Sequence, residues 1–259
     1  MPDWNSAQYL KFERERTQPA IDLANRIELE NPRQIVDIGC GPGNSTAVLA
    51  RRFPGVQILG IDNSPDMIGK ARRDYPQLEF ALCDAGRNLG GLDRDFDIVF
   101  SNACIQWIPE HRRLIPDMMG LLRPGGVLAV QAPDNFGEPV HKIIAEVTVS
   151  PEWASRFHSP RIFYNLAQGE YYDLLSELSA DFSIWQTTYF HTMKSHSDIL
   201  EWYRGTGLRP YLDILSPEDK PAFERDIHAE LVRAYPTQKN GDIIFRFPRL
   251  FFTAVAPQA

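Results

Sequence analysis

Between Gln34 and Gln131, short apolar β-branched runs alternate with helix-length amphipathic segments. This alternation restricts the fold more than any other feature, because it is the pattern of a parallel sheet whose strands are joined by crossover helices. Strands are predicted at Ile35–Ile38, Gln57–Ile61, Glu79–Leu82, Phe96–Phe100 and Val127–Val130, and helices at Ser45–Arg52, Pro65–Tyr75 and His111–Leu122. Ser and Asn residues stand at the first two helix entrances, where a side-chain oxygen can cap the free N–H groups of an opening turn. Arg123-Pro124-Gly125-Gly126 is a breaker cluster predicted to end the third helix and lead into the fifth strand. After Gln131 the alternation gives way to a stretch rich in aromatics, prolines and histidines. Within it Ile184–Phe190 reads as a strand, Ser195–Gly205 and Pro217–Tyr235 as helices, and Leu250–Ala256 as a buried last strand. The expected organisation is one enlarged domain over 1–259: N-terminal lid helices in 1–30, a core in 31–132, covering insertions in 133–248 and the last strand in 249–259.

Composition removes several function classes. The 259 residues are 43% hydrophobic and 24% charged, which suits a chain that folds unaided around a substantial core. A formal net charge of -7 offers no broad basic field, so nucleic acid is not expected as a partner. No apolar run approaches the roughly 20 residues that span a bilayer, so no membrane association is expected. Met1-Pro2-Asp3-Trp4-Asn5 lacks the pattern of a secretory leader, and a cytoplasmic protein is expected. Cys40, Cys83 and Cys104 form no CxxC pair and lie in apolar surroundings, so they are read as buried reduced thiols and no metal site is expected. Oligomeric state is not legible.

The segment richest in chemistry is Val36-Asp37-Ile38-Gly39-Cys40-Gly41-Pro42-Gly43-Asn44-Ser45-Thr46, which follows a predicted strand and opens a predicted helix. Its alternating glycines permit a tight turn and let the backbone approach a ligand with no Cβ in between. A dinucleotide fingerprint would need glycine three positions after Gly41, where the chain carries Asn44, and Pro42 removes an N–H that a pyrophosphate could use. Asp37 contributes a carboxylate that repels pyrophosphate and suits an ammonium or sulfonium group. Asp62 ends the second strand 19 residues after Gly43, placed to accept both hydroxyls of a ribose, and Asp84 ends the third, placed to meet the exocyclic amine of an adenine. Either aspartate alone could simply cap the helix after its strand. Three strand-tip carboxylates beside one glycine loop favour a cationic nucleoside ligand.

Together with Phe96-Asp97-Ile98-Val99-Phe100-Ser101-Asn102 and Leu121-Leu122-Arg123-Pro124-Gly125-Gly126, these residues resemble the class I S-adenosylmethionine-dependent methyltransferase family. The resemblance implies an α/β fold: a Rossmann-like, doubly wound, mostly parallel seven-stranded sheet with an antiparallel last strand, helices on both faces and a helical cap insertion. It implies S-adenosyl-L-methionine as cofactor. Asp37, Gly39, Gly41 and Gly43 would surround its methionine part, Asp62 and Asn63 the ribose, and Asp84 and Ala85 the adenine. Ser101, Asn102 and Ala103 would form the floor near the methyl group, with Trp107 following as a wall. Asp3-Trp4-Asn5, Asn102-Ala103-Cys104-Ile105-Gln106-Trp107, Gln131-Ala132-Pro133-Asp134-Asn135, Thr206-Gly207-Leu208-Arg209-Pro210 and Phe247-Pro248-Arg249-Leu250-Phe251 extend the resemblance over essentially the whole chain. They are similar to the branch of that family that esterifies a carboxylate of trans-aconitate, which implies a small polycarboxylic acid as substrate; the same fold acting on another small acid or an acyl thioester, or a non-catalytic module that binds S-adenosylmethionine, is the alternative reading. Ala132 departs from the bulkier Met expected there.

A carboxylate, with an ordinary pKa near 4, is already ionised at neutral pH, so such a reaction needs no general base and no catalytic residue beyond those that position. The anchors for an acid are expected among Arg209, Arg249, His191, His196 and Arg161, with the hydroxyls of Tyr172 and Tyr189. Arginine suits the task because its planar fork pairs with a carboxylate through two hydrogen bonds. Arg209 and Arg249 each adjoin a proline in turn-forming or apolar context, where an arginine lacking a partner is costly. For the two histidines a surface or ion-pairing role is the plainer reading. Tyr9 and Phe12 share one helix face near Arg16 and read either as a lid or as simple packing, and Trp107 and Trp202 also suit core packing.

Overall fold

The computed structural model describes residues 13–92, 95–157 and 163–258. Tyr9, Phe12, Asp3-Trp4-Asn5 and Arg161 lie outside them. In chain order the elements are α1 (Glu13–Asn25), β1 (Gln34–Ile38), α2 (Asn44–Arg52), β2 (Gln57–Asp62), α3 (Pro65–Asp74), β3 (Glu79–Leu82), β4 (Phe96–Asn102), α4 (His111–Met119), β5 (Leu122–Pro133), α5 (Pro139–Thr148), α6 (Gln168–Leu178), β6 (Phe182–Met193), α7 (His196–Arg204), α8 (Arg209–Leu212), α9 (Asp219–Ala234) and β7 (Ile243–Val255). No described helix is long and apolar enough to cross a membrane.

The strands form one seven-stranded sheet in the order β3-β2-β1-β4-β5-β7-β6. β3, β2, β1, β4 and β5 run parallel and β7 is antiparallel to β5, as the resemblance implied. The residues separate into two compact units. One comprises the described residues of 16–133, 163–187 and 249–258; the other comprises those of 13–15, 134–157 and 188–248.

In the first unit the burial pattern follows strand alternation. Val36, Val99, Leu128 and Val130 pack with Leu114, Ile115 and Met118 of α4 and with Tyr171, Leu174 and Leu175 of α6. Asp37, of opposite parity to Val36, meets α2 instead, so the sheet is covered on both faces. Each Leu, Ile or Val buried this way contributes about 1.5–3 kcal/mol. Asp97, 2% exposed, accepts from the backbone N–H groups of Arg33 and Gln34 at 2.7 and 2.9 Å and pairs with Arg123, fixing the start of β1 against β4. Burial alone would raise the Asp97 carboxyl; these donors outweigh it and hold the group below its ordinary value.

In the second unit, α5, α7 and α9 supply Ile143, Ile144, Leu200, Trp202, Phe223 and Ile227 to a separate apolar cluster that includes Phe245 and Phe247. Trp202 is buried there, as expected of a packing residue.

Several local expectations need correction. The third helix stops at Met119, and Leu122 to Gly126 already belong to β5. The breaker cluster sits inside that strand because Leu122 pairs with Phe96 before a shift in register, and Gly125 donates to the carbonyl of Ala256. There the proline and glycines make a bulge rather than a stop. β7 starts at Ile243 and β6 ends at Met193, so both exceed their predicted lengths. α3 is capped by Ser64 as expected, but α2 is entered through Gly43 with no side-chain cap bond. The short helices α5, α6 and α8 add to the elements expected from the sequence. Cys40 is buried, whereas Cys83 and Cys104 are only partly so.

Candidate functional site

In this strand order β1 lies between β2 and β4. The chain therefore winds outward from β1 in one direction and from β4 in the other. The loops at their carboxyl ends diverge, and such a switch point is where open α/β sheets bind ligands. In the first unit the tips that meet this end are Gly39 to Gly43 after β1, Asp62 after β2, Asp84 after β3, Asn102 to Trp107 after β4, and Pro133 of β5.

The glycines divide their tasks. Gly39, at φ +74°, lies so close to Cys104 that a Cβ would fall 2.2 Å from its Sγ, so this glycine serves the approach of the β4 loop. Gly43 is packed under Tyr75 and Phe80. Of these three, Gly41, at φ +55°, is the one with no atom of the described residues within 4 Å of the point where a Cβ would stand. Its missing side chain leaves space for a ligand, where those of Gly39 and Gly43 leave space for neighbouring side chains.

Asp37 is fully buried, its Oδ2 accepting from Ser45 Oγ at 2.6 Å and Thr46 Oγ1 at 2.7 Å. Burial pushes its pKa up to about 6, against the lowering effect of the two hydroxyls, and nearby Asp62 adds to the rise. Asp62 Oδ2 accepts from the Gly41 N–H at 3.0 Å and Oδ1 from the Ser64 N–H at 2.9 Å, so this side chain braces the glycine loop while keeping lone pairs for a further donor. Asn63 beside it is exposed. Asp84 Oδ1 accepts from the Gly86 N–H at 2.9 Å in a local turn that also carries the half-buried Ala85.

On the β4 side, Ser101 is fully buried and its Oγ donates to the Ile38 carbonyl at 2.9 Å, so it ties the two central strand tips together. Ala103 adopts φ +53°, a left-handed conformation uncommon for a residue with a Cβ, and its N–H donates to the Gln131 carbonyl. Gln106 Nε2 donates to the Ala103 carbonyl at 2.7 Å. Trp107 is 45% exposed, with its ring tilted against Phe163 at 5.2 Å. Burial pushes the Cys104 thiol up to about 12 and Cys40 upward as well, which leaves both as poor nucleophiles.

Sequence reasoning missed the group that holds this loop. His111, 2% exposed, bonds the Ile105 carbonyl through Nε2 at 2.8 Å and the Tyr171 hydroxyl through Nδ1 at 2.6 Å. A carbonyl only accepts, so Nε2 carries the proton and Nδ1 accepts from tyrosine. Burial lowers the His111 pKa, which favours that neutral form.

Of the anchor candidates, Arg249 is brought to this end of the sheet. It pairs in register with Pro133, is 5% exposed, and donates from Nη1 to Gln131 Oε1 at 3.2 Å. Tyr172 is not: it is exposed, and its ring rests on Phe182 at 5.1 Å. Phe182 follows Asp181, whose carbonyl takes the N–H of Val255, and Val255 pairs with Val127 near the start of the parallel run of β5. Tyr172 therefore stands at the sheet end opposite the glycine loop. Arg209, His191, Tyr189 and His196 belong to the second unit. There Arg209 lies 3.6 Å from Asp213, His191 is buried and stacked on Trp202 with centroids 4.9 Å apart, Tyr189 stacks on His191, and His196 Nε2 donates to the Tyr235 carbonyl.

The ligand that fits carries positive charge and hydrogen-bond donors. Asp37 Oδ1 and Asn102 Oδ1 are both buried with no hydrogen-bond partner among the described residues, and Gly41 leaves room in front of the loop. An adenosine bearing a sulfonium and an ammonium group meets those terms.

The methyltransferase domain family matches residues 35–126. A trans-aconitate 2-methyltransferase from Methylobacterium radiotolerans is 44% identical over 98% of both chains, and one from Escherichia coli is 44% identical over 98% of both. Phosphoethanolamine N-methyltransferase 2 of Haemonchus contortus, solved in complex with S-adenosyl-L-methionine, superposes on 93% of this chain and 53% of its own with a TM-score of 0.54 at 19% identity.

Proposed function

Because the chain belongs to the trans-aconitate 2-methyltransferase family, we propose that it is an S-adenosylmethionine-dependent carboxyl O-methyltransferase that converts trans-aconitate into a monomethyl ester and releases S-adenosylhomocysteine. The observation that carries this reading is identity of 44% along 98% of the chain, a span that takes in every strand tip of the site and not the cofactor loop alone.

S-adenosylmethionine, when bound, supplies a methyl group made electrophilic by its sulfonium. The chain's own residues hold and aim. Gly41, lacking a side chain, leaves space for the methionine part, and Asp37 provides a buried negative charge behind it. Asp62 with Asn63 is assigned to the ribose, and Asp84 with Ala85 to the adenine. Asn102, Ala103 and Trp107 are assigned to the side of the methyl group, with Ser101 fixing their strand to β1. The acceptor arrives ionised, so no residue has to remove a proton. Positioning and exclusion of water can supply roughly 7–11 kcal/mol of the barrier in favourable cases.

Arg249 is assigned to a carboxylate of the acid, for which a guanidinium fork is well shaped. Arg209 is kept as a second candidate on its chemistry, with His191 and Tyr189 as lesser ones; Tyr172 is dropped. In this reading residues 1–259 form one catalytic domain in which 133–248 serve the acid, and the enzyme acts in the cytoplasm on a free small acid. A net charge of -7 disfavours a nucleic acid or an anionic membrane surface, and the positive charge that a small acid needs is supplied locally by Arg249.

The test is a methyl-transfer screen over di- and tricarboxylic acids with labelled cofactor and mass detection of the ester. Labelling of trans-aconitate above all other acids is expected. Failure to label any polycarboxylate would overturn the assignment.

A further inference from the structure

Gln131 breaks the apolar run of β5 and is entirely buried, one of few polar side chains sealed in the sheet. It pairs in register with Asn102, and its carbonyl takes the N–H of Ala103, so it lies beside the loop assigned to the methyl group. Its amide is oriented by Arg249: Nη1 donates to Oε1 at 3.2 Å, so that atom must be the oxygen. The Nε2 donor, as buried as the rest, has no hydrogen-bond partner among the described residues. Leaving such a donor unsatisfied is costly, and a native fold seldom retains one without a use. Arg249, on the adjacent strand and 5% exposed, likewise places positive charge inside the protein at the sheet end where ligands bind.

We propose that Gln131 and Arg249 together form a carboxylate subsite at the tip of β5 and β7, the amide Nε2–H and the guanidinium both donating to one carboxylate of the acceptor. This rests on the polycarboxylate reading above and adds to it a neutral donor beside the charged one. In the absence of acid, Gln131 keeps Arg249 directed toward the strand tip.

The experiment measures trans-aconitate binding by calorimetry to protein saturated with S-adenosylhomocysteine, alongside steady-state KM. Gln131→Met keeps the volume and removes the donor; acid affinity is expected to fall at least tenfold with S-adenosylhomocysteine affinity within twofold of wild type. Gln131→Glu keeps an acceptor for Arg249 but replaces the donor by an anion, and a loss beyond a hundredfold is expected. A role confined to propping Arg249 gives a different pattern, because adding Gln131→Met to Arg249→Met would then change nothing further. A further loss in the double variant supports direct contact with the acid. No further loss there, or acid binding retained by Gln131→Glu, overturns the proposal. Should Gln131→Met fail to fold, judged by its affinity for S-adenosylhomocysteine, Gln131→Glu decides alone. Wild-type protein that takes no polycarboxylate would sink the functional reading and the subsite with it; binding by wild type and Gln131→Met alike sinks the subsite only.

Discussion

Exchanging each of two neighbouring glycines for alanine separates what the loop does for the fold from what it does for the ligand. At Gly41 the new Cβ meets no atom of the described residues within 4 Å, so the change costs the left-handed backbone at φ +55°. That cost is about 1–2 kcal/mol, offset by about 0.4–1 kcal/mol because alanine restricts the unfolded chain. Net destabilisation should stay near 1 kcal/mol, a fall in Tm of about 2–4 °C for a chain of this size. At Gly39 the Cβ would stand 2.2 Å from Cys104 Sγ and 2.4 Å from its Cβ, at φ +74°. Overpacking adds about 1–3 kcal/mol to the backbone term, so a fall in Tm several times larger is expected. Calorimetric unfolding and titration with S-adenosylmethionine on the same samples provide both readouts. Gly41→Ala should remain folded and bind the cofactor at least tenfold more weakly; Gly39→Ala should be crippled in stability, with partial rescue by Cys104→Gly. Normal cofactor affinity in a folded Gly41→Ala protein would refute the placement of the ligand on that face.

Other outcomes follow from the same geometry. Asp37 has its pKa raised to about 6 from an ordinary 3.8, so the folded state holds its proton over a range where the unfolded chain has released it. Its contribution to stability is therefore lost as pH rises from about 4 to about 6, by an amount on the order of 3 kcal/mol, and Asp37→Asn should remove that slope in denaturant titrations at successive pH values. Cofactor affinity should move oppositely, strengthening as pH rises through about 6 and becoming flat in Asp37→Asn. Asp62→Ala strips the acceptor from the Gly41 and Ser64 N–H groups, and S-adenosylmethionine affinity measured by calorimetry should drop by about 1.5–3 kcal/mol. Tyr171→Phe leaves His111 Nδ1 without its donor, for a destabilisation of about 1–3 kcal/mol in thermal unfolding.

How much of the molecule is legible in the sequence depends on whether a residue's role is local. The parallel core can be read because β-branched runs and amphipathic segments carry their own period, and Asp62 and Asp84 can be placed because strand tips are predictable once the strands are. Asp62 shows the limit of that reading. Its carboxylate accepts from the Gly41 N–H, 21 residues back, and from the N–H of Ser64, which is itself the cap of α3, so the side chain braces the loop rather than capping the helix and keeps lone pairs for a ligand. Roles set by partners far along the chain are invisible: Gly39 is small because of Cys104, Arg123 ends in the strand because of Asp97, and His111 is buried because of Tyr171. Tyr172 misleads for the same reason, since a hydroxyl in an aromatic-rich stretch says nothing about which end of the sheet its helix brings it to. Gln131 does leave a usable signal. A lone amide inside Val127 to Ala132, otherwise apolar, carries a desolvation cost that packing cannot offset, and at the carboxyl end of a strand next to the switch point that cost points to a ligand.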